Sequence, residues 1–296
     1  MRALLLGWLS LVCPAYAFAA PILSGFDASS LPRRDDVVSG PVALGFIASF
    51  YGASYPTIYV SNNGFVSFDA PRLDFSPTGL GLDYAGQPVI APFMADVDTR
   101  AAGSGFVQYG TGVYSEHVAF GVTWPGVGYF QLAADRLNTF QLVLVERADR
   151  GAGDFDILFN YGSIQWESGY ANGGIDGRGG TTASAGWNAG TRFYASAGSL
   201  VPGALLDGGA QALVTGTNDG VPGQMLFAVQ NGAVDVPEPG STVLLGMAIL
   251  GYCSAHWKAR IGRGVPGVPR SQEPMVYRRR SKRDADELGD KRVIAG

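Results

Sequence analysis

Short apolar and β-branched runs, each ended by Gly, Pro or Asn, recur from residue 21 to residue 232, and no part of that interval carries a long amphipathic helical period. Such runs suit strands, because side chains alternate faces at a period of two while Gly and Pro end each pairing segment. The pattern predicts ten strands, the first at residues 42–50 and the last at 224–229. Residues 139–146 alternate only at their start and then become continuously apolar, which predicts a central strand buried on both faces. Asn63-Gly64 predicts a type I′ hairpin turn, whose two central residues both need positive φ. The expected fold class is all-β: a mostly antiparallel, β-sandwich-like module.

Charge is distributed unevenly along the 296 residues. The formal net charge is −4, yet residues 19–236 carry nine Arg, no Lys and nineteen Asp or Glu. An acidic body of this kind excludes nucleic acid as a partner, which calls for a basic face. It suits solubility, and it also suits a cation such as Ca²⁺. The two cysteines, Cys13 and Cys253, both lie outside the strand-forming interval, so the module has no internal disulfide. A lone His117 and the lack of a Gly-x-Ser-x-Gly elbow leave neither a zinc site nor a nucleophilic triad to propose.

The two ends differ from the body. Residues 1–20 open with Arg2, continue through an apolar run and end in small residues at A-x-A spacing, the pattern of a cleavable signal peptide. Residues 233–264 contain Pro237-Glu238-Pro239, an apolar run over 241–257 and a basic cluster of Lys258, Arg260 and Arg263. An apolar run followed by cations predicts one C-terminal transmembrane helix, with its basic end on the cytoplasmic side. Residues 265–296 are polar, charged and without apolar periodicity, so a disordered tail is expected.

Two family resemblances follow from these residues. The order Pro-Glu-Pro, apolar run, basic cluster resembles the PEP-CTERM sorting signal of exported bacterial proteins associated with exopolysaccharide. It implies an exosortase and the general secretion machinery as partners, transient anchoring in the inner membrane through the C-terminal helix, and final placement at the cell surface or outside it. The body resembles the NIDO module, the nidogen extracellular-type domain. The resemblance runs through 50–68 and Ile90-Ala91-Pro92-Phe93-Met94-Ala95-Asp96-Val97-Asp98-Thr99-Arg100, then 122–130, 138–144, 153–167 and 185–190, in that order. It implies one extracellular unit over 21–232, a role in cell–matrix adhesion or matrix structure, and no catalytic residues.

Candidate binding residues are few. Asp96 and Asp98, two apart in an extended stretch, would share a face and could share a Ca²⁺; the competing reading is a strand end with Arg100 paired to one of them. Asp154 and Asp156 present the same choice. Of the aromatics, Trp124 and Trp166 sit in or beside apolar strands and are expected in the core. Tyr129 and Tyr170 lie in Gly-rich turns, and are the pair expected at the surface for contact with a sugar ring. A lectin-like module that retains exopolysaccharide is therefore the alternative to an adhesion module, and a matrix-acting hydrolase is the third reading, with no local carboxylate pair to support it.

Overall fold

The computed structural model of the protein describes residues 22–235, except 78, 82, 83, 85–87 and 191. Fourteen strands pair antiparallel throughout the two sheets. The first sheet runs β1 (Ser29–Ser30), β7 (Gln108–Tyr114), β8 (His117–Tyr129), β9 (Ala133–Glu146), β10 (Phe155–Ser163), β13 (Gln224–Gln230), β14 (Ala233–Asp235), with β6 (Val97–Asp98) added alongside β8. The second runs β12 (Phe193–Ala195), β11 (Ser184–Asn188), β5 (Val89–Met94), β4 (Phe65–Ser67), β3 (Ala53–Ser61), β2 (Val42–Phe50).

The sheets face each other across one large core. Leu44, Phe46, Ala48 and Phe50 on β2 alternate inward, as a period-two strand over a buried surface must. They meet Phe120, Val122 and Trp124 from β8, with Phe140, Leu142 and Leu144 from β9. Trp124 stacks on Phe140, ring centroids 4.9 Å apart. As expected, β9 lies at the centre of its sheet with both faces covered. Its odd residues Val143 and Val145 point to the outer face and pack under Phe26. That face also holds a buried polar row: Thr123, Gln141, Asn160 and Gln224 are successive cross-strand partners on β8, β9, β10 and β13. Gln141 donates to Thr123 Oγ1 (2.8 Å), Asn160 to Gln141 Oε1 (3.1 Å) and Gln224 to Asn160 Oδ1 (2.7 Å). Gln141 also bonds both backbone groups of Leu23, at 3.0 and 2.7 Å, and so pins the N-terminal segment across the sheet.

Several strand limits differ from expectation for identifiable reasons. β7 and β8 continue to Tyr114 and from His117 through a two-residue turn in which Ser115 (φ 48°) and Glu116 (φ 70°) both take positive φ. This is the I′ geometry, without the Asn or Gly that would signal it. At Asn63-Gly64 only Gly64 has positive φ (79°), and Ser61 pairs with Phe65 across a three-residue connection. The predicted I′ turn is therefore corrected to a three-residue loop ending in a left-handed glycine.

The transmembrane helix is the larger correction. The one helical element among the described residues is a single 3-10 turn, Tyr170–Asn172, and no helix among them is long and apolar enough to cross a membrane. Residues 237–239, 241–257, Lys258, Arg260 and Arg263 lie outside the described residues, as does the signal-peptide interval 1–20. An apolar run does not of itself specify a helix, and 241–257 stands at the lower limit of the about 17–25 residues a spanning helix takes. Among the described residues the fold is an antiparallel two-sheet module. The membrane partner and the inner-membrane anchoring that rested on the helix are withdrawn with it.

Candidate functional site

The sequence-predicted acidic pairs separate in three dimensions. β5 carries a bulge where Ala91 and Met94 oppose Gly186 and Ser184 of β11. After it the chain turns, with the Val97 N–H bonded to Ala95 O, before the two-residue β6 begins. Asp96 and Asp98 flank this break and take different partners. Asp98 is fully buried and grips Arg100 in a bidentate pair: Nη2 to Oδ2 2.6 Å and Nε to Oδ1 2.9 Å. The Arg100 and Leu132 backbone N–H groups also donate to it. Burial opposes its charge, but these donors and the guanidinium outweigh burial and hold its carboxyl below the usual range. Asp156 is likewise satisfied, accepting from Arg147 (2.7 Å) and Arg150. Asp154 accepts the Asn231 backbone N–H at 2.8 Å. Three of the four predicted carboxylates are therefore held by protein donors.

Asp96 has no such donors. It is 2% exposed, Oδ2 is wholly buried without a hydrogen-bond partner, and no described residue donates to its carboxylate. It points into a cavity of about 140 Å³ lined by Asp35, Asp36, Phe75, Phe130 and Ala171. One carboxylate oxygen from each of Asp35, Asp36 and Asp96 lies within 4.8 Å of the others. The two partners come from the segment before β2, some 60 residues upstream, and the β3–β4 loop sets their position. Asn62 donates to Asp35 O and Val97 O (2.8 Å) and accepts from the Val37 N–H (2.9 Å). Asn63 donates to Asp36 Oδ1 (2.8 Å) and accepts from the Val97 N–H (3.0 Å). Gly64 permits this loop: a Cβ there would lie 1.7 Å from Phe93 O. Gly169 has a similar role opposite, where a Cβ would come within 2.6 Å of Asp96 Oδ2.

The electrostatics show an imbalance. Arg100, the cation paired into this end, reaches Asp35 Oδ2 at 3.2 Å but is already shared with Asp98. Burial first, and then the neighbouring carboxylates, push Asp96 up to about 7 and Asp35 up to about 6. An oxygen-lined acidic cavity of this size can coordinate a hard divalent ion such as Ca²⁺. The sequence reading reached Asp96 but missed Asp35 and Asp36. Their only local signal is the charged run Arg33-Arg34-Asp35-Asp36 before the first predicted strand.

The aromatic candidates separate too. Tyr170 is 46% exposed, whereas Tyr129 is 1% exposed, its ring against Trp166 and its hydroxyl donating to Asp135 at 2.8 Å. Tyr129 is therefore a core residue and not a sugar platform: it ends the long β8, whose closing residues face the core rather than a turn. Trp124 and Trp166 are fully buried.

The fold and site define an all-β antiparallel module with one acidic cavity at the end of the sandwich. Residues 56–231 match the nidogen-like domain family, and the chain belongs to that family. It is 33% identical to human alpha-tectorin over 235 residues, covering 71% of this chain and 10% of the relative. It is 30% identical to nidogen of Drosophila melanogaster over 239 residues, covering 70% and 16%, and 28% identical to chicken alpha-tectorin over 263 residues, covering 79% and 12%. The chain thus spans between a tenth and a sixth of the length of these relatives. No solved structure matches it.

Proposed function

We propose that this chain is exported and acts outside the cell as an adhesion or matrix-building module, binding through exposed loops and sheet edges. The observation that carries this reading is the family match over 56–231 on a closed two-sheet core. The signal-peptide pattern at 1–20 agrees with it. The finer part of the reading is a sorting signal at Pro237-Glu238-Pro239, supported by its order with the apolar run and the basic cluster.

The test is to express the full chain in an exporting host, analyse the termini of the recovered protein by mass spectrometry, and measure its retention on matrix-coated surfaces. The expected result is an extracellular protein trimmed near residue 20, cut close to Pro239, and saturably retained without any turnover of the matrix. An untrimmed cytosolic protein, or one that washes off every matrix, would overturn the proposal. Retention of exopolysaccharide is the second reading, and the exposed Tyr170 ring is the observation that favours it. Loss of sugar retention in Tyr170→Ala, with matrix protein binding intact, would select it.

A further inference from the structure

We propose that Asp35, Asp36 and Asp96 form a Ca²⁺ site, and that the ion clamps the segment preceding β2 onto the acidic end of the sandwich. Three carboxylates alone would not carry this. The buried Asp96 adds to them: it is 98% buried, lines the cavity and leaves Oδ2 without a hydrogen-bond partner, whereas Asp98 and Asp156 are matched to guanidinium donors and Asp154 and Glu167 to backbone N–H groups. Asp35 Oδ1 is likewise buried without a partner. Buried carboxylate oxygens left bare are costly, so such an arrangement persists where something else supplies the charge.

The geometry selects the ion. Oxygens on opposite sides of a Ca²⁺ are about 4.6–5.2 Å apart, since each Ca–O bond is about 2.3–2.6 Å. The three carboxylates fall within 4.8 Å of one another, which lets all three reach one such ion. Mg²⁺ holds its ligands at about 2.0–2.1 Å in a strict octahedron and gives up its waters reluctantly, so three carboxylates drawn from two separate segments suit the more tolerant Ca²⁺ better. The cavity leaves room for the remaining ligands to be water. The site is also discontinuous: Asp35 and Asp36 come from the entry segment, while Asp96 comes from the β5–β6 break. Binding therefore adds a cross-link between two parts of the chain already joined here by the Asn62 and Asn63 amides, the Thr99–Arg34 bonds, the Arg33 guanidinium on the Thr99, Ala101 and Ser104 carbonyls, and the Arg100–Asp35 ion pair. Arg33 and Arg34, adjacent to the clamp and both exposed, provide natural trypsin sites that report on it.

The experiment uses the full chain as secreted, stripped with chelator, titrated with Ca²⁺ and Mg²⁺ by calorimetry, and digested with trypsin. Expected are a single Ca²⁺ site with a Kd on the order of 0.1–1 mM, as in extracellular modules, and weaker Mg²⁺ binding. Cleavage after Arg33 and Arg34 should slow about tenfold at a Ca²⁺ concentration ten times Kd, because the opened form is depleted by that factor. Asp96→Asn should abolish both effects while melting normally in chelator, and the milder Asp36→Asn should weaken Ca²⁺ binding in a chain whose core is untouched. Absence of Ca²⁺ binding by the folded wild type up to 10 mM (about ten times the expected upper limit) would overturn the proposal. So would unchanged affinity in both variants, equal affinity for Mg²⁺, or bound Ca²⁺ that leaves tryptic cleavage unaltered.

Discussion

Two polar groupings in this molecule, one buried throughout and one built on the buried Asp96 with the half-buried Asp35 and the exposed Asp36, resolve the same problem differently. The outer-face row of Thr123, Gln141, Asn160 and Gln224 is neutral, lies across four strands in register, and closes its bonds on itself and on Leu23. The acidic end gathers Asp35, Asp36 and Asp96 from two distant segments and leaves oxygens bare. Satisfied amides fix a structure, whereas unsatisfied carboxylates mark a place kept for something the chain itself does not supply. The contrast separates architecture from function, since the row holds the N-terminal segment over the sheet and the acidic end is where a ligand would change the energy.

The contrast can be broken most severely at the loop that supports the acidic end. Gly64→Ala should lower stability by about 4 kcal/mol, since its Cβ would overlap Phe93 O and the residue needs positive φ. Urea unfolding reads this directly, and a loss under 1 kcal/mol would show that the loop adapts instead. Next comes the satisfied row: Gln141→Ala should cost about 3 kcal/mol, because it leaves the Asn160 amide N–H, the Thr123 hydroxyl and both backbone groups of Leu23 without the partner they have now. For a domain of this size that is a fall in Tm of roughly 6–12 °C. A change within error would place water in the row and weaken the contrast.

A smaller effect is expected from pH in chelator. Asp96 at about 7 and Asp35 at about 6 bind protons more tightly folded than unfolded. Their neighbours Asp36, Asp98 and Arg100 set the local field. The sign follows: the stability these two carboxylates contribute is fully present below the unfolded carboxylate range near pH 4 and is lost as pH rises through about 6 to 7, opposite in sign to the contribution of Asp98. A flat profile across that interval would mean the carboxylates are not repelling one another. The smallest effect has the opposite sign to the Gln141 change. In chelator at pH 8, Asp96→Asn should be neutral or should stabilise by up to about 1 kcal/mol, since it removes a bare charge and adds donors facing Asp35 and Asp36. It should also reduce the pH slope. A clear destabilisation would show that Asp96 is already satisfied.

The sequence by itself determined the antiparallel two-sheet character of the module, though not the transmembrane helix expected beside it, and it located most strands and the central place of residues 139–146. It also placed Trp124 and Trp166 in the core. All of these follow from local period and composition, which act over a few residues. The unusual turn escaped it, because Ser115-Glu116 adopts the I′ form without its usual residues while Asn63-Gly64 does not. Tyr129 escaped it because a Gly-rich surrounding reads as a turn even where a long strand continues through it. Only the tertiary structure decided the site. The bulge in β5 and the break before β6 cancel the period-two rule that joined Asp96 to Asp98, and sheet closure then brings in Asp35 and Asp36. Side-chain direction past a bulge, and contact between segments 60 residues apart, depend on how strands pair, which no local pattern encodes.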